Sequence, residues 1–398
     1  MSNINLRHLL AALEVNQCGS ISDAADRIHL SQSALTQALA KLELGLGTAL
    51  FNRRPRGMVT TSAGQVFFSR VARALDWLKA IERLVSSSGV ASTRHVHRLL
   101  SSAQLRALIA VVDAGSYTHA AMLLGLSQPT VHRAVRELEE LCEQKLFQRS
   151  PQGVVPTWQA RQIARYGGLF FAEIAQGIDE INELSGVMTG SLIIGALPLS
   201  RTRLVPQAVT ELLKQYPGAT VRIVDGPYTE QLNALLRGRI DVIVGAIRSP
   251  LPSPDITQEF LFRDALSIVV RPHHRLLGQR RLSPQKLREL DWIAPAENTP
   301  AREVFNSLFH RAGLEPPEHV IECSSLAATR ELLLASDRAA LLSAKQVEVD
   351  VNAGLLAVSG APLAGTERDI GLTLRRDWQP TKTQQRFLFL VRSYREKQ

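Results

Sequence analysis

Residues 19–61, GSISDAADRIHLSQSALTQALAKLELGLGTALFNRRPRGMVTT, return as residues 115–157, GSYTHAAMLLGLSQPTVHRAVRELEELCEQKLFQRSPQGVVPT. Each residue of the first stretch lies 96 positions before its counterpart, with no gap between the two. From 7 to 61 against 103 to 157 there are 20 identities in 55 pairs. Chance would give roughly 3 or 4, so the chain carries a duplicated unit. Leu6, Leu9, Leu10 and Leu13 recur at helical spacing and make an amphipathic opening helix. Gly19 ends it, and Ser20 is a good N-cap for a short second helix that brings Ala24 and Ala25 close to a third. Ser31 caps the third helix, whose Leu35, Ala38, Leu39 and Leu42 face inward. Gln32, Ser33, Thr36, Gln37 and Lys41 are left on the opposite face, where small and amide side chains suit the base edges of a major groove.

Beyond that helix, residues 52–60 read as a two-stranded wing with a Pro/Gly turn. Arg53, Arg54 and Arg56 on its tip are placed for phosphates or a minor groove. Thr61 then caps a long helix with a narrow apolar stripe, Val66, Phe67, Val71, Ala74, Leu75, Leu78, Ile81 and Val85, a pattern that asks for a partner and predicts a dimerising coiled coil. The second copy keeps the plan with other chemistry. Gln128, Thr130, His132, Arg133 and Arg136 face outward, Pro129 sits in the tolerant first turn, and the wing retains one arginine, Arg149. From 31 to 57 the formal charge is +3, and from 127 to 153 it is zero. The first copy is therefore expected to supply phosphate affinity and the second much of the base selectivity. Residues 86–93 read as a flexible linker between them.

The whole chain has 398 residues and a formal charge of +9, which fits a polyanionic partner. Three scattered cysteines argue for a reducing compartment and against a disulfide framework. With no signal-peptide pattern and no long apolar run, the expectation is a cytoplasmic, nucleoid-associated protein that does not span a membrane. No G-x-S-x-G and no P-loop is present, so an enzyme is not expected. His273-His274 and His95-Val96-His97 read as ordinary loop and solvated linker residues, and neither metal nor cofactor is expected.

The pattern GS-x-x-x-AA, an apolar residue (Ile28 or Leu124), LSQ, LE, LF-x-R, G and T, met twice in order, resembles the LysR-type transcriptional regulators. The tandem head departs from that family, which has one winged helix-turn-helix and one linker helix. The resemblance implies a C-terminal effector domain of two α/β lobes, like type 2 periplasmic binding proteins, behind an all-α, winged-helix head. It implies as partners double-stranded DNA, a small-molecule effector, further copies of the chain through linker helices and effector domains, and RNA polymerase. The expected domains are 1–62 and 94–158 (winged helix-turn-helix), 63–93 and 159–186 (linkers) and 187–398 (effector domain). Lobe 1 is expected at about 187–264 and 345–398, and lobe 2 at about 265–344, with the chain recrossing near Leu341-Leu342-Ser343.

The residues downstream agree, since apolar strands at 191–196, 220–224 and 240–245 alternate with helices at 203–216 and 230–236. Ligands of open α/β sheets lie at the carboxyl ends of strands. That selects Leu197, Leu199, Ser200, Arg201, Arg248, Pro295, Asn298, Ser324 and Ser325 as cleft walls. Only Ser200 is polar in Leu197-Pro198-Leu199-Ser200, which disfavours a small dicarboxylate and resembles the branch of the family tied to sugar and aromatic-acid catabolism. The expected effector is uncharged or singly charged, with Arg248 as anchor. A solute-binding protein would explain the C-terminal half but not the repeats, and an adaptor using one copy for protein contacts is the other alternative.

Overall fold

The computed structural model describes residues 5–54, 57–86, 95–151, 153–186, 189–279, 282–297 and 299–394. Arg56, Asn298 and residues 87–93 of the expected linker lie outside the described residues. The chain opens with α1 (Leu6–Cys18), α2 (Ile21–Arg27), α3 (Gln32–Leu46), the hairpin β1 (Phe51–Arg54) and β2 (Gly57–Thr60), and the long α4 (Ser62–Ser86). After a short α5 (Val96–Leu99) the order returns: α6 (Ser102–Ala114), α7 (Tyr117–Leu124), α8 (Gln128–Cys142), β3 (Phe147–Ser150), β4 (Gly153–Pro156) and the long α9 (Trp158–Leu184).

The residues shared by the two copies make the same contacts in each. Ser31 and Ser127 accept from the backbone N–H of Ala34 and Thr130, satisfying orphan donors of α3 and α8. Glu43 turns its carboxylate back to accept from the Leu50 amide, and Glu139 does the same for Leu146, both at 2.7 Å. Thr61 and Thr157 cap the long helices by accepting from Gly64 and Ala160. Gly57 (φ +130°) and Gly153 (φ +135°) press the hairpins onto the turn after the first helix of each copy, so close that a Cβ would lie 2.5 Å from the carbonyl oxygen of Gly19 or Gly115. Only glycine fits there.

The apolar stripe of α4 is covered within the chain, which corrects the expected coiled coil with a second copy. Its partner is α9, packed antiparallel: Phe67, Val71, Ala74, Leu78, Ile81 and Val85 share one core with Ile163, Ala164, Phe170, Ile174 and Ile181. His97 is likewise not solvated. It is half-buried at the start of α5, paired with Glu82 of α4, while His95 stays exposed beside it. Burial alone would raise the Glu82 carboxyl, but hydrogen bonds from His97 hold it below its ordinary value.

The C-terminal half forms two α/β lobes. The first runs β5 (Ser191–Ala196), α10 (Pro198–Thr202), α11 (Leu204–Gln215), β6 (Thr220–Val224), α12 (Tyr228–Leu236), β7 (Val242–Ala246) and β8 (Ile256–Asp264). The second runs β9 (Leu266–Val270), α13 (Pro284–Arg288), β10 (Trp292–Ala294), α14 (Pro300–His310), β11 (Val320–Glu322), α15 (Leu326–Leu334), β12 (Ala339–Ser343), α16 (Glu348–Asn352) and β13 (Ala357–Ser359). The chain then returns as β14 (Arg368–Arg375) and α17 (Lys382–Ser393). The sheets have orders β6-β5-β7-β14-β8 and β11-β10-β12-β9-β13.

The return to the first lobe therefore falls between Ser359 and Arg368, not near Ser343. The physical reason is β13, an antiparallel edge strand that pairs Val358 with Val269 and keeps 344–359 in the second lobe. Asp264, buried at the crossing, ties the joint: it accepts from Ser343 at 2.6 Å and from Arg368 at 2.7 Å. The first lobe docks on the helix pair. Asp179 of α9 accepts from Ser191, Asp113 of α6 pairs with Arg237 and Arg239, and Gly168 of α9 lies against the Arg237 carbonyl. No helix among the described residues is long and apolar enough to cross a membrane.

Candidate functional site

Both third helices expose the residues that the repeat leaves outside its core. On α3, Gln32, Ser33, Gln37 and Lys41 are exposed and Thr36 half-exposed, while Leu35, Ala38, Leu39 and Leu42 are buried. Several of these polar groups are already engaged locally. Gln32 donates to Ser22 at 3.0 Å, Ser33 shares a hydrogen bond with Ser31, and the Thr36 hydroxyl donates to the Gln32 carbonyl at 2.8 Å. Gln37 and Lys41 carry the exposed reach of this helix. On the adjacent hairpin, Arg53 and Arg54 are exposed and carry no acidic partner among the described residues.

The second surface is more elaborate. Gln128, Pro129, His132, Arg133 and Arg136 of α8 line one shallow hollow. The His132 ring lies 5.0 Å from that of Tyr117, which in turn meets Phe147 at 5.9 Å. Burial, with Glu139 nearby, pushes the Tyr117 phenol up to about 12, so it stays neutral and acts as a platform. Thr130 bonds to the Ser127 cap at 2.7 Å. Arg136 pairs with Glu140 one turn on at 3.1 Å, whereas Arg133 and Arg149 are exposed without an ion pair among the described residues. The aromatic clamp on His132 was not visible in the sequence, because the repeat counterpart of Tyr117 is the aliphatic Ile21.

In the effector domain the expected cleft residues divide. Ser200 is fully buried, and its hydroxyl lies 2.9 Å from the Leu197 carbonyl oxygen and 2.7 Å from that of Val244. It straps β5 to β7 and does not line a cleft, a correction to its expected role. Leu197 is buried against Gly245, and Leu199 packs on the lobe core, so both serve the fold for the same reason. Arg201 pairs with Asp225 at 3.0 Å. Pro295, Ser324 and Ser325 do gather at the carboxyl ends of the neighbouring parallel strands β10 and β11, with Ser325 capping α15.

Arg248 is the exception among these residues. Its guanidinium lies 4.4 Å over the Tyr228 ring, and its Nη1 is buried with no hydrogen-bond partner among the described residues. Burial lowers its pKa, and it feels Glu303 of the second lobe without pairing to it. Tyr228, from the start of α12, escaped the sequence reading because nothing links it to Arg248 except the fold. Of the adjacent pair His273-His274, His274 is buried, facing the Asp337 carbonyl through one ring nitrogen and the Leu276 amide through the other.

A helix-turn-helix carrying exposed amides and arginines, joined to a two-lobed α/β domain whose half-buried Arg248 has no ion-pair partner among the described residues, defines a DNA-binding regulator with a ligand-binding domain. Comparison with known proteins agrees. Residues 185–395 match the LysR substrate binding domain, and residues 6–65 and 102–161 each match the bacterial regulatory helix-turn-helix protein of the lysR family. The chain belongs to the LysR family of transcriptional regulators. It is 31% identical over 371 residues to the HTH-type transcriptional regulator GalR of Pseudomonas putida, covering 93% of this chain and 92% of that one. The regulator PcaQ of Agrobacterium fabrum is 28% identical over 277 residues, covering 70% of this chain and 89% of PcaQ. The GalR match thus spans chains of similar length, whereas PcaQ is shorter. Among solved structures, a full-length OxyR variant from Pseudomonas aeruginosa superposes with a TM-score of 0.55 at 19% identity, over 73% of this chain and 97% of that one. CbnR superposes at 0.52 and 23% identity, over 74% and 99%. These likenesses establish the fold.

Proposed function

We propose that both N-terminal units are winged helix-turn-helix heads that contact DNA, and that a singly charged organic acid bound between the lobes controls them. The observation that carries the first part is the matched geometry of the two copies. Each has a serine-capped third helix with an exposed polar face, and each docks its hairpin through the same glycine contact. A copy retained only as a spacer would not need an exposed reading face beside an arginine-bearing wing. On this reading Gln32, Ser33, Thr36, Gln37, Lys41, Arg53, Arg54 and Arg56 act in the first head. Gln128, Thr130, His132, Arg133, Arg136 and Arg149 act in the second. The second part rests on the unpaired Arg248 guanidinium stacked on Tyr228. A carboxylate is its natural complement, and a sugar or aromatic acid matches the adjacent ring. On this reading Pro295, Ser324 and Ser325, at the carboxyl ends of β10 and β11, supply the second lobe's contribution to the site.

The test is DNA affinity against salt, on a site selected from a random duplex pool. Replacing Arg53, Arg54 and Arg56 together by Ala should reduce the slope of log K against log salt by about three, and Arg149→Ala by about one. A slope left unchanged by Arg149→Ala would remove the second head from the DNA, and one unchanged by the triple variant would remove the first wing.

A further inference from the structure

The two heads are joined by a helix pair whose register repeats the duplication. Arg70 of α4 meets Glu173 of α9 at 3.0 Å, and Trp77 of α4 stacks on Tyr166 of α9 at 5.9 Å. With the offset of 96, Tyr166 is the counterpart of Arg70, and Glu173 is the counterpart of Trp77. Position 70 of one copy therefore faces position 77 of the other, in both directions. That is the contact rule of an isologous two-fold interface, realised here within one chain. Around it the two copies are related by a pseudo-two-fold axis normal to the plane of the helix pair.

Two consequences follow from this symmetry. A rotation about that axis exchanges the ends of the pair but keeps both heads on the same side of it, so α3 and α8 are presented in one direction. The register sets how far apart the starts of the two long helices, to which the heads attach, stand along the pair. With Arg70 opposite Glu173, the first residue of α4, Ser62, lies level with Ile181, and Trp158 at the start of α9 lies level with Val85. The hydrogen bond from Gln144 of the second head to the Val85 carbonyl (3.4 Å) places that head at the far end of α4. From Trp158 to Ile181 the helix rises about 35 Å at ~1.5 Å per residue. One turn of B-DNA is about 34–36 Å.

We infer that a single chain is a complete two-half-site DNA reader. Its partner is one duplex segment bearing two unlike half-sites about one helical turn apart on one face. The half-sites differ because the reading faces differ: Gln37 and Lys41 on α3 stand where Arg133 and Glu137 stand on α8. This inference rests on the reading that both heads touch DNA.

Binding-site selection with the full-length protein tests it, comparing wild type with Gln37→Ala and Arg133→Ala, two exposed positions whose variants are checked for unchanged melting. Gln37→Ala should alter preference at one element only and Arg133→Ala at the other, with the two elements adjacent in every site about 10 base pairs apart. A duplex carrying one such pair should bind one chain by native mass spectrometry. Elements paired like with like, or a single pair that requires two chains, would overturn the inference while leaving DNA binding by both heads intact. An Arg133→Ala profile identical to wild type would instead overturn the inference together with the two-head reading beneath it.

Discussion

Arg70 is the buried ionic centre between α4 and α9, and Arg70→Met is the perturbation that measures its worth. The residue is 4% exposed. Its guanidinium donates to Glu173 and Gln176 at 3.0 Å, to Glu180 at 3.0 Å and to the Gln379 carbonyl at 2.9 Å. Burial works against its charge, but the hydrogen bonds and the charges of Glu180 and Glu173 more than offset this and raise its pKa. Removing the cation takes one of two arginine partners from Glu173, itself 6% exposed. Breaking a buried pair costs about 3–5 kcal/mol. Arg73 still reaches Glu173 at 2.9 Å and the Glu180 side chain is 21% exposed, so the lower end, about 3 kcal/mol, is expected. Urea unfolding followed through Trp77 and Trp378 reads the loss as a shifted midpoint. Adding Glu173→Gln should recover at least ~1 kcal/mol, because the under-compensated buried charge is then gone. A loss below ~1 kcal/mol with no recovery in the double variant would refute the claim that this ion network holds α4 and α9 together.

Arg248→Met should weaken an acid effector roughly 10- to 100-fold, the worth of a charge-assisted hydrogen bond, and leave basal DNA affinity unchanged. Thermal shift with aromatic and sugar monocarboxylates checks this, and an unchanged response places the anchor elsewhere. Burial raises Asp241 to about 6 from an ordinary 3.8, against the pull of Arg375. Between those values the folded chain keeps a proton that the unfolded chain has released, so stability falls as pH rises through that window, by about 3 kcal/mol. Asp241→Asn keeps an acceptor for the Ile193 amide and should flatten this dependence in denaturation measured from pH 4 to 7; a wild-type slope in the variant would assign the titration to another group.

The parts of the fold that were legible in the sequence are those fixed by local geometry. Leu-Ser-Gln, Leu-Glu, Gly and Thr recur because each makes a backbone contact inside its own unit, namely a cap, a turn-back to an amide or a wing pressed on a turn. Such contacts have fixed sequence spacing. The helices and hairpins of both units and the parallel strands of the first lobe fall where the pattern puts them. What was not legible depends on which distant surface an element meets. An apolar stripe on α4 states that a partner exists, not whether it is another copy or α9. The five-residue α10 is too short for periodicity to say which way Ser200 points, and the fold turns it inward. A three-residue edge strand such as β13 leaves no run long enough to read, so the recrossing was placed too early. Arg248 was found from its position after a strand, but Tyr228 joins it only in three dimensions.

The differences between the two copies follow from the same packing. Where α4 has Val71, Ala72 and Ile81, α9 has Gly167, Gly168 and Gly177. Each glycine admits a close neighbour: Leu105 and Ile109 of α6 over Gly167, the Arg237 backbone over Gly168, and Arg70 with Phe67 over Gly177. A Cβ at 168 would stand 2.3 Å from the Arg237 carbonyl oxygen, so the first lobe can seat on α9 only where the side chain is absent. The adjoining Arg237 and Arg239 reach Asp113 of the second head, whose counterpart in the first head is Gln17. Duplication supplied two equal halves, and a single effector domain per chain forces them apart. Of these three glycines only Gly168 receives the effector domain, while Gly167 admits α6 of its own unit and Gly177 admits α4. The ionic contact between the lobe and Asp113 thus falls on the second head, the one with the aromatic-clamped His132 and the unpaired Arg133.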